Sequence, residues 1–172
     1  MFKDIFNNLK RQNSIIVLAA SILTLALALT ALGGSNPTLV DAQQQNTTKA
    51  GTFNYTQINE SGDPEWIIGG NWSLAGVDSS SPTFDATIDM AKPDESAAHD
   101  HTVNNLAVSG QPSTQSNSTT IEGTTTITMR EGPVTDEPTT IALNGNQISV
   151  YFDPAKIDDH FGNQSITGTV TE

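Results

Sequence analysis

Apolar and polar positions alternate in nearly every segment from residue 53 to residue 152. The cleanest stripe is Phe84, Ala86, Ile88 and Met90, with Asp85, Thr87 and Asp89 between them. A period of two places those sets on opposite faces of a strand. Phe53 and Tyr55 begin the alternation; Trp66 with Ile68, Trp72 with Leu74, and Ile121 with Ile127 and Met129 continue it. IALNGNQISVYF, residues 141–152, reads as a hairpin, because Asn144 and Gly145 both tolerate the positive φ of a two-residue type I′ turn. Closing the turn there sets Leu143 opposite Asn146 and Ile141 opposite Ile148. Ile141, Leu143, Ile148, Val150 and Phe152 then share one face. A last strand runs over residues 166–170.

Turn-like breaks fall at 79–82, 93–98, 109–120 and 131–138. The second of these has no glycine, and the third, SGQPSTQSNSTT, predicts a mobile loop. Only residues 153–160 hint at a helix, with Asp153 as N-cap and Pro154 at the first helical position. Seven to nine short strands in about 120 residues predict an all-β domain over residues 64–172, an antiparallel sandwich or small barrel. Trp72, Phe84, Ile88, Ile141, Ile148 and Val150 are its expected core.

Residues 15–32 are eighteen apolar or hydroxyl-bearing positions without a charge, preceded by Lys3, Lys10 and Arg11. The length lies between the apolar stretch of a signal peptide, about 7–15 residues, and the helix that spans a bilayer, about 17–25. A small-residue site follows at Val40-Asp41-Ala42. Residues 1–42 are therefore expected to be a signal peptide or an N-terminal membrane anchor, a hydrophobic helix that is the only membrane contact. Either fate leaves the basic end inside and exports the rest, to the cell envelope or the medium. A polar, flexible linker is expected over residues 43–63.

Setting aside Lys3, Lys10, Arg11, Asp4 and Asp41, the seven basic and nineteen acidic side chains of the 172-residue chain become four and seventeen, a net charge near −13. Such a field repels phosphate backbones, which excludes nucleic acid as a natural partner. There is no cysteine, so no disulfide supports the exported part. Asn46, Asn54, Asn59, Asn71, Asn117 and Asn163 each open an N-x-[ST] sequon. These mark a glycosylated surface if the host modifies exported chains, and a hydroxyl-rich polar one otherwise. Cell-envelope proteins or glycans are the partners such a surface suits.

The three histidines fall in two places: His99-Asp100-His101, and His160 within Asp158-Asp159-His160-Phe161-Gly162. In a strand, His99 and His101 share a face with α-carbons about 6.5–7 Å apart, so both imidazoles can reach one ion at about 2.0–2.1 Å. Val103 has the same parity, which turns that face inward. His160, carried by a distant loop, would complete a three-nitrogen site for Cu²⁺ or Zn²⁺ with an open position. With ordinary imidazole pKa values, binding would weaken below about pH 6. The plainer reading keeps the three apart, each hydrogen-bonded for itself. Acid–base catalysis with Asp100 or Asp159 beside a histidine is weaker, since acidic neighbours arise by accident in so acidic a chain. Gly70-Asn71-Trp72 matches the G-x-W of lipocalins, although core packing accounts for Trp72 as well. No phosphate loop, nucleophile elbow or cysteine nucleophile is present.

The series Trp72-Ser-Leu74, Phe84 to Met90, His99-Asp-His101 with Asn104-Asn105-Leu106, and His160-Phe161-Gly162 ending in Ile166-Thr-Gly168-Thr-Val170 resembles a group of uncharacterised exported β-domain proteins of ammonia-oxidising archaea. The resemblance covers roughly residues 64–172 and implies no activity. It implies a copper-rich habitat, which favours copper over zinc. Three function classes follow: an exported β-domain binding Cu or Zn, a glycosylated structural or adhesive module, and a metal-dependent enzyme on a cupin-like or superoxide-dismutase-like barrel.

Overall fold

The computed structural model describes residues 47–171. Alternation becomes strand wherever it was legible. β1 covers Thr48–Phe53, β2 Tyr55–Ile58, β3 Pro64–Ala75, β4 Thr83–Ala91, β5 His99–Val108, β6 Ser113–Gln115, β7 Ser118–Ile127, β8 Val134–Asn144, β9 Gln147–Phe152 and β10 Ile166–Val170. In β4 every even residue from Phe84 to Met90 is buried and every odd one exposed.

β3, β4, β5, β7, β8, β9 and β10 pair in chain order, each antiparallel to the last, and β1 pairs with both β10 and β3. This closes an eight-stranded antiparallel barrel, which settles the choice between sandwich and barrel. Nearest-neighbour order is that of an up-and-down meander, not of a jelly roll or Greek-key sandwich. The cupin-like and superoxide-dismutase-like scaffolds are thereby corrected. β2 prolongs β1 along the other half of β3, and β6 folds back on β7.

The closing seam depends on two glycines. A Cβ on Gly51 would sit 1.8 Å from the carbonyl oxygen of Thr169, and one on Gly168 would sit 2.3 Å from that of Thr52. β1 and β10 approach each other too closely there for any other residue.

Four expectations change. The linker expected over 43–63 contains β1 and β2, because pairing with β3 and β10 recruits this polar stretch to close the sheet. The loop expected over 109–120 contains β6, whose Ser113, Thr114 and Gln115 pair with Thr120, Thr119 and Ser118. The break expected over 131–138 ends early, since β8 begins at Val134 and Pro138 faces outward opposite Thr124. The hairpin turn lies one residue later, with Asn144 opposite Gln147 and Leu143 opposite Ile148. Gly145 takes φ 58° at the first central position, where a type II′ turn needs glycine. Because the register moves by an even number, the same faces stay inward. The expected N-terminal helix of residues 1–42 lies outside the described residues.

The interior is filled by side chains. Trp72, Phe84, Ile88, Ile141, Ile148 and Val150 are all buried in one cluster with Leu74, Val103, Ile127 and Ile166, as the stripes imply. The segment from β9 to β10 folds over one mouth. It starts with a 3-10 turn, Pro154–Lys156, capped by the Asp153 side chain, which accepts from the Ala155 N–H at 2.9 Å. It then buries Ile157 and Phe161, with the Phe161 ring 5.2 Å from those of Phe152 and His101. That packing delivers the residue before Phe161, His160, to the mouth.

Candidate metal centre

β5 begins at the same mouth. His99 and His101 enter on its inward face, as strand parity requires, with His101 buried and His99 half-buried. The Nδ1 of His99 lies 2.8 Å from the carbonyl oxygen of Ala97, and that of His101 lies 2.5 Å from the carbonyl oxygen of Thr128. A carbonyl only accepts, so both Nδ1 atoms carry the proton and both Nε2 atoms present a lone pair. A backbone carbonyl in this role is the usual outer support of a metal-binding imidazole. Ala97 reaches it from a left-handed φ of 52°, uncommon for alanine, in the glycine-free turn that also holds Glu95 at φ 65°. That turn is fixed instead by Asp94, which accepts from the N–H and hydroxyl of Ser96.

His160 completes the set. Its Nε2 lies 2.9 Å from the Nε2 of His101 and 3.2 Å from that of His99. The three ligand nitrogens all fall within 4.8 Å of one another. Nitrogens held tetrahedrally at about 2.0–2.1 Å from an ion are about 3.3 Å apart, so both contacts of His160 are slightly tighter than in a filled site. A proton on His160 serves one facing lone pair well and leaves the other pair of nitrogens in opposition. A cation among them satisfies all three. Thus the structure brings together every histidine that the sequence singled out.

Burial disfavours the charged form of two of the three rings. Desolvation is the main cause that lowers His160 to about 4, with the charges of His101 and His99 adding to it. Desolvation also lowers His101, helped by His99 and opposed by the Thr128 hydrogen bond and Asp100. The expectation that binding weakens below about pH 6 assumed ordinary imidazoles, and burial lowers His160 and His101 from that value.

A cavity of about 660 Å³ opens beside the histidines, lined by Trp66, Ala97, Asp100, Thr128, Met129 and Arg130 along with them. Trp66 stands edge-on to His99, ring centroids 5.3 Å apart, and the Lys92 ammonium lies over the Trp66 ring, 4.2 Å from its centroid. Trp66, Met129, Arg130 and the two carbonyls were not foreseen as site residues. Parity alone hinted at Met129, two positions after Ile127. Asp159 is exposed and has no contact with the cluster's nitrogens among its hydrogen bonds.

Of the sequon residues, Asn54, Asn59, Asn71, Asn117 and Asn163 are exposed, and Asn46 lies outside the described residues. Asn59 uses its side-chain oxygen to accept from the N–H groups of Ser61 and Asp63, both at 2.9 Å. Trp72 is buried in the barrel, as core packing implies.

One buried group had no signal in the sequence. Glu137 is 0 % exposed on the inward face of β8, opposite Thr125, and neither carboxyl oxygen has a partner among the described residues. Desolvation, then the charge of Asp153, pushes it up to about 6. Beside it the Thr139 hydroxyl donates to the Glu137 carbonyl at 2.8 Å and stands 2.8 Å from the Thr125 hydroxyl.

The chain matches no protein-family model, and no curated protein or solved structure shows significant similarity to it.

Proposed function

We propose that the chain is an exported cell-envelope domain that binds one divalent transition-metal ion through His99, His101 and His160. The observation that carries this is the convergence of three Nε2 atoms, two of them aimed by backbone carbonyls. Imidazole nitrogens follow the Irving–Williams order, so Cu²⁺ is the tighter ion and Zn²⁺ the weaker. Export rests on the apolar run of residues 15–32, and the resemblance to archaeal exported proteins is consistent with copper. No catalysis is assigned to the domain itself.

The test is metal analysis of the chain purified without a histidine tag, followed by calorimetric titration of Cu²⁺ into the wild type and His160→Ala. One equivalent should bind, and losing a direct ligand should weaken it by at least about 100-fold, the upper end for losing mere outer support. Equal affinities would show that His160 is no ligand.

The cavity favours a second reading, a metal-dependent enzyme, because it opens onto the position that the three histidines leave free. The glycosylated structural or adhesive module has the exposure of five sequon asparagines in its support. A protein that takes up no metal and carries glycans would favour that module.

A further inference from the structure

The cavity beside the histidines is asymmetric in its chemistry. Its walls are apolar where Trp66, Ala97 and Met129 line it, and its cationic group is Arg130. Arg130 is the only arginine among the described residues of a strongly acidic chain. It has no carboxylate partner among them. The lysine beside Trp66, Lys92, is engaged with Glu65 at 3.6 Å and lies over the Trp66 ring. Asp100 also borders the cavity, on the outward parity of β5; it and Arg130 are both exposed at its rim.

We propose that this cavity takes a small organic acid, its carboxylate at the metal's free position and beside Arg130, its apolar body against Trp66 and Met129. The proposal rests on the metal centre described above. Three neutral imidazoles leave the ion its full double charge, and an anionic fourth ligand offsets part of it. An arginine guanidinium suits a carboxylate, with paired N–H donors. A volume of about 660 Å³ lies within the usual range for small-molecule sites and exceeds what a bare inorganic anion needs. Binding is an exchange in which the carboxylate displaces water from the ion, with no redox change. It needs no residue outside the cavity.

The experiment uses the full chain loaded with Co²⁺, whose visible bands report the coordination sphere, and three probes: benzoate, acetate and benzylamine. Benzoate should shift the bands saturably, with an affinity at least about tenfold above that of acetate, since the ring adds apolar burial. Benzylamine, the same ring with the opposite charge on its carbon, should not compete with benzoate. Arg130→Gln should weaken benzoate by about tenfold and leave the Co²⁺ stoichiometry unchanged, and Trp66→Leu should narrow the gap between benzoate and acetate. Equal affinities for benzoate and acetate, or an Arg130→Gln chain that binds benzoate as the wild type does, would overturn the proposal while the metal centre stood. A chain that takes up no Co²⁺ by metal analysis would sink the metal centre and this proposal together.

Discussion

The Nδ1–H of His101 donates to the carbonyl oxygen of Thr128 at 2.5 Å, and the opposite nitrogen of the ring therefore points at His160, 2.9 Å away. β5 and the end of β7 thus set one imidazole between them, and the segment over the mouth brings a second to meet it. Burial of both rings has a consequence for acid.

A group whose pKa is lowered by folding loses protons to solvent relative to the unfolded chain, so its stabilising contribution is present at neutral pH and fades as pH falls. For His160 the window runs from the ordinary imidazole value, about 6.5, down to about 4. Metal competes with the same protons. The metal-loaded chain should therefore hold Cu²⁺ at pH 5.5 and release it nearer pH 4. Equilibrium dialysis across that range checks this, and half-release at pH 6 or above would contradict it. Quenching of Trp66 fluorescence by Cu²⁺ should follow the same curve.

Glu137 acts with the opposite sign. Its pKa is raised, so its contribution is intact below the unfolded value of about 4.3 and is lost as pH rises through about 6. Glu137→Gln keeps the shape and removes the charge. The variant should melt above the wild type at pH 8 by roughly 3–6 °C, for a gain of about 1 kcal/mol. The gap should close at pH 4.5, and taking it as a difference cancels the opposing histidine contribution. A gap that does not change with pH would mean that the carboxyl is not the cause.

Phe84, the second residue of β4, is 1 % exposed and belongs to the core cluster. Phe84→Ala should cost about 3–5 kcal/mol in urea unfolding, since it removes an aromatic ring and leaves a void that the barrel wall cannot fill. An unchanged midpoint would contradict the inward face of β4.

At the seam, Gly168→Val should separate β10 from β1, because its Cβ would meet the Thr52 carbonyl 2.3 Å away. Exchange of the amide protons of Thr52 and Asn54, which face β10, should accelerate more than that of Ile88 on β4, away from the seam. Uniform acceleration would instead mean that the barrel opens as one unit.

How much of this was legible follows from the range of each interaction. The β4 stripe and the faces of β8 and β9 were, because period-two alternation is local. The histidine pair was legible for the same reason, and His160 was foreseen as a third ligand by elimination, there being no fourth histidine. Closure was not: Gly51 meets Val170, more than a hundred residues on, through polar positions without a stripe. Nor were the carbonyls of Ala97 and Thr128, since every residue has one and only the fold selects these two. Glu137 was hidden in a stretch rich in turn-formers, where Gly132, Pro133 and Pro138 outweighed the inward parity it shares with Thr139 and Ile141.

His99 and His101 belong to the barrel wall, and His160 to the segment that crosses its mouth. An ion shared by them would be a cross-link, joining positions fifty-nine residues apart in a chain that has no cysteine to join them otherwise. Like a disulfide, such a link removes freedom mostly from the unfolded chain. Unlike one, it is undone by a chelator and remade in seconds, and it needs no oxidant. The barrel is already closed by its hydrogen bonds; the coordination would fasten its cover.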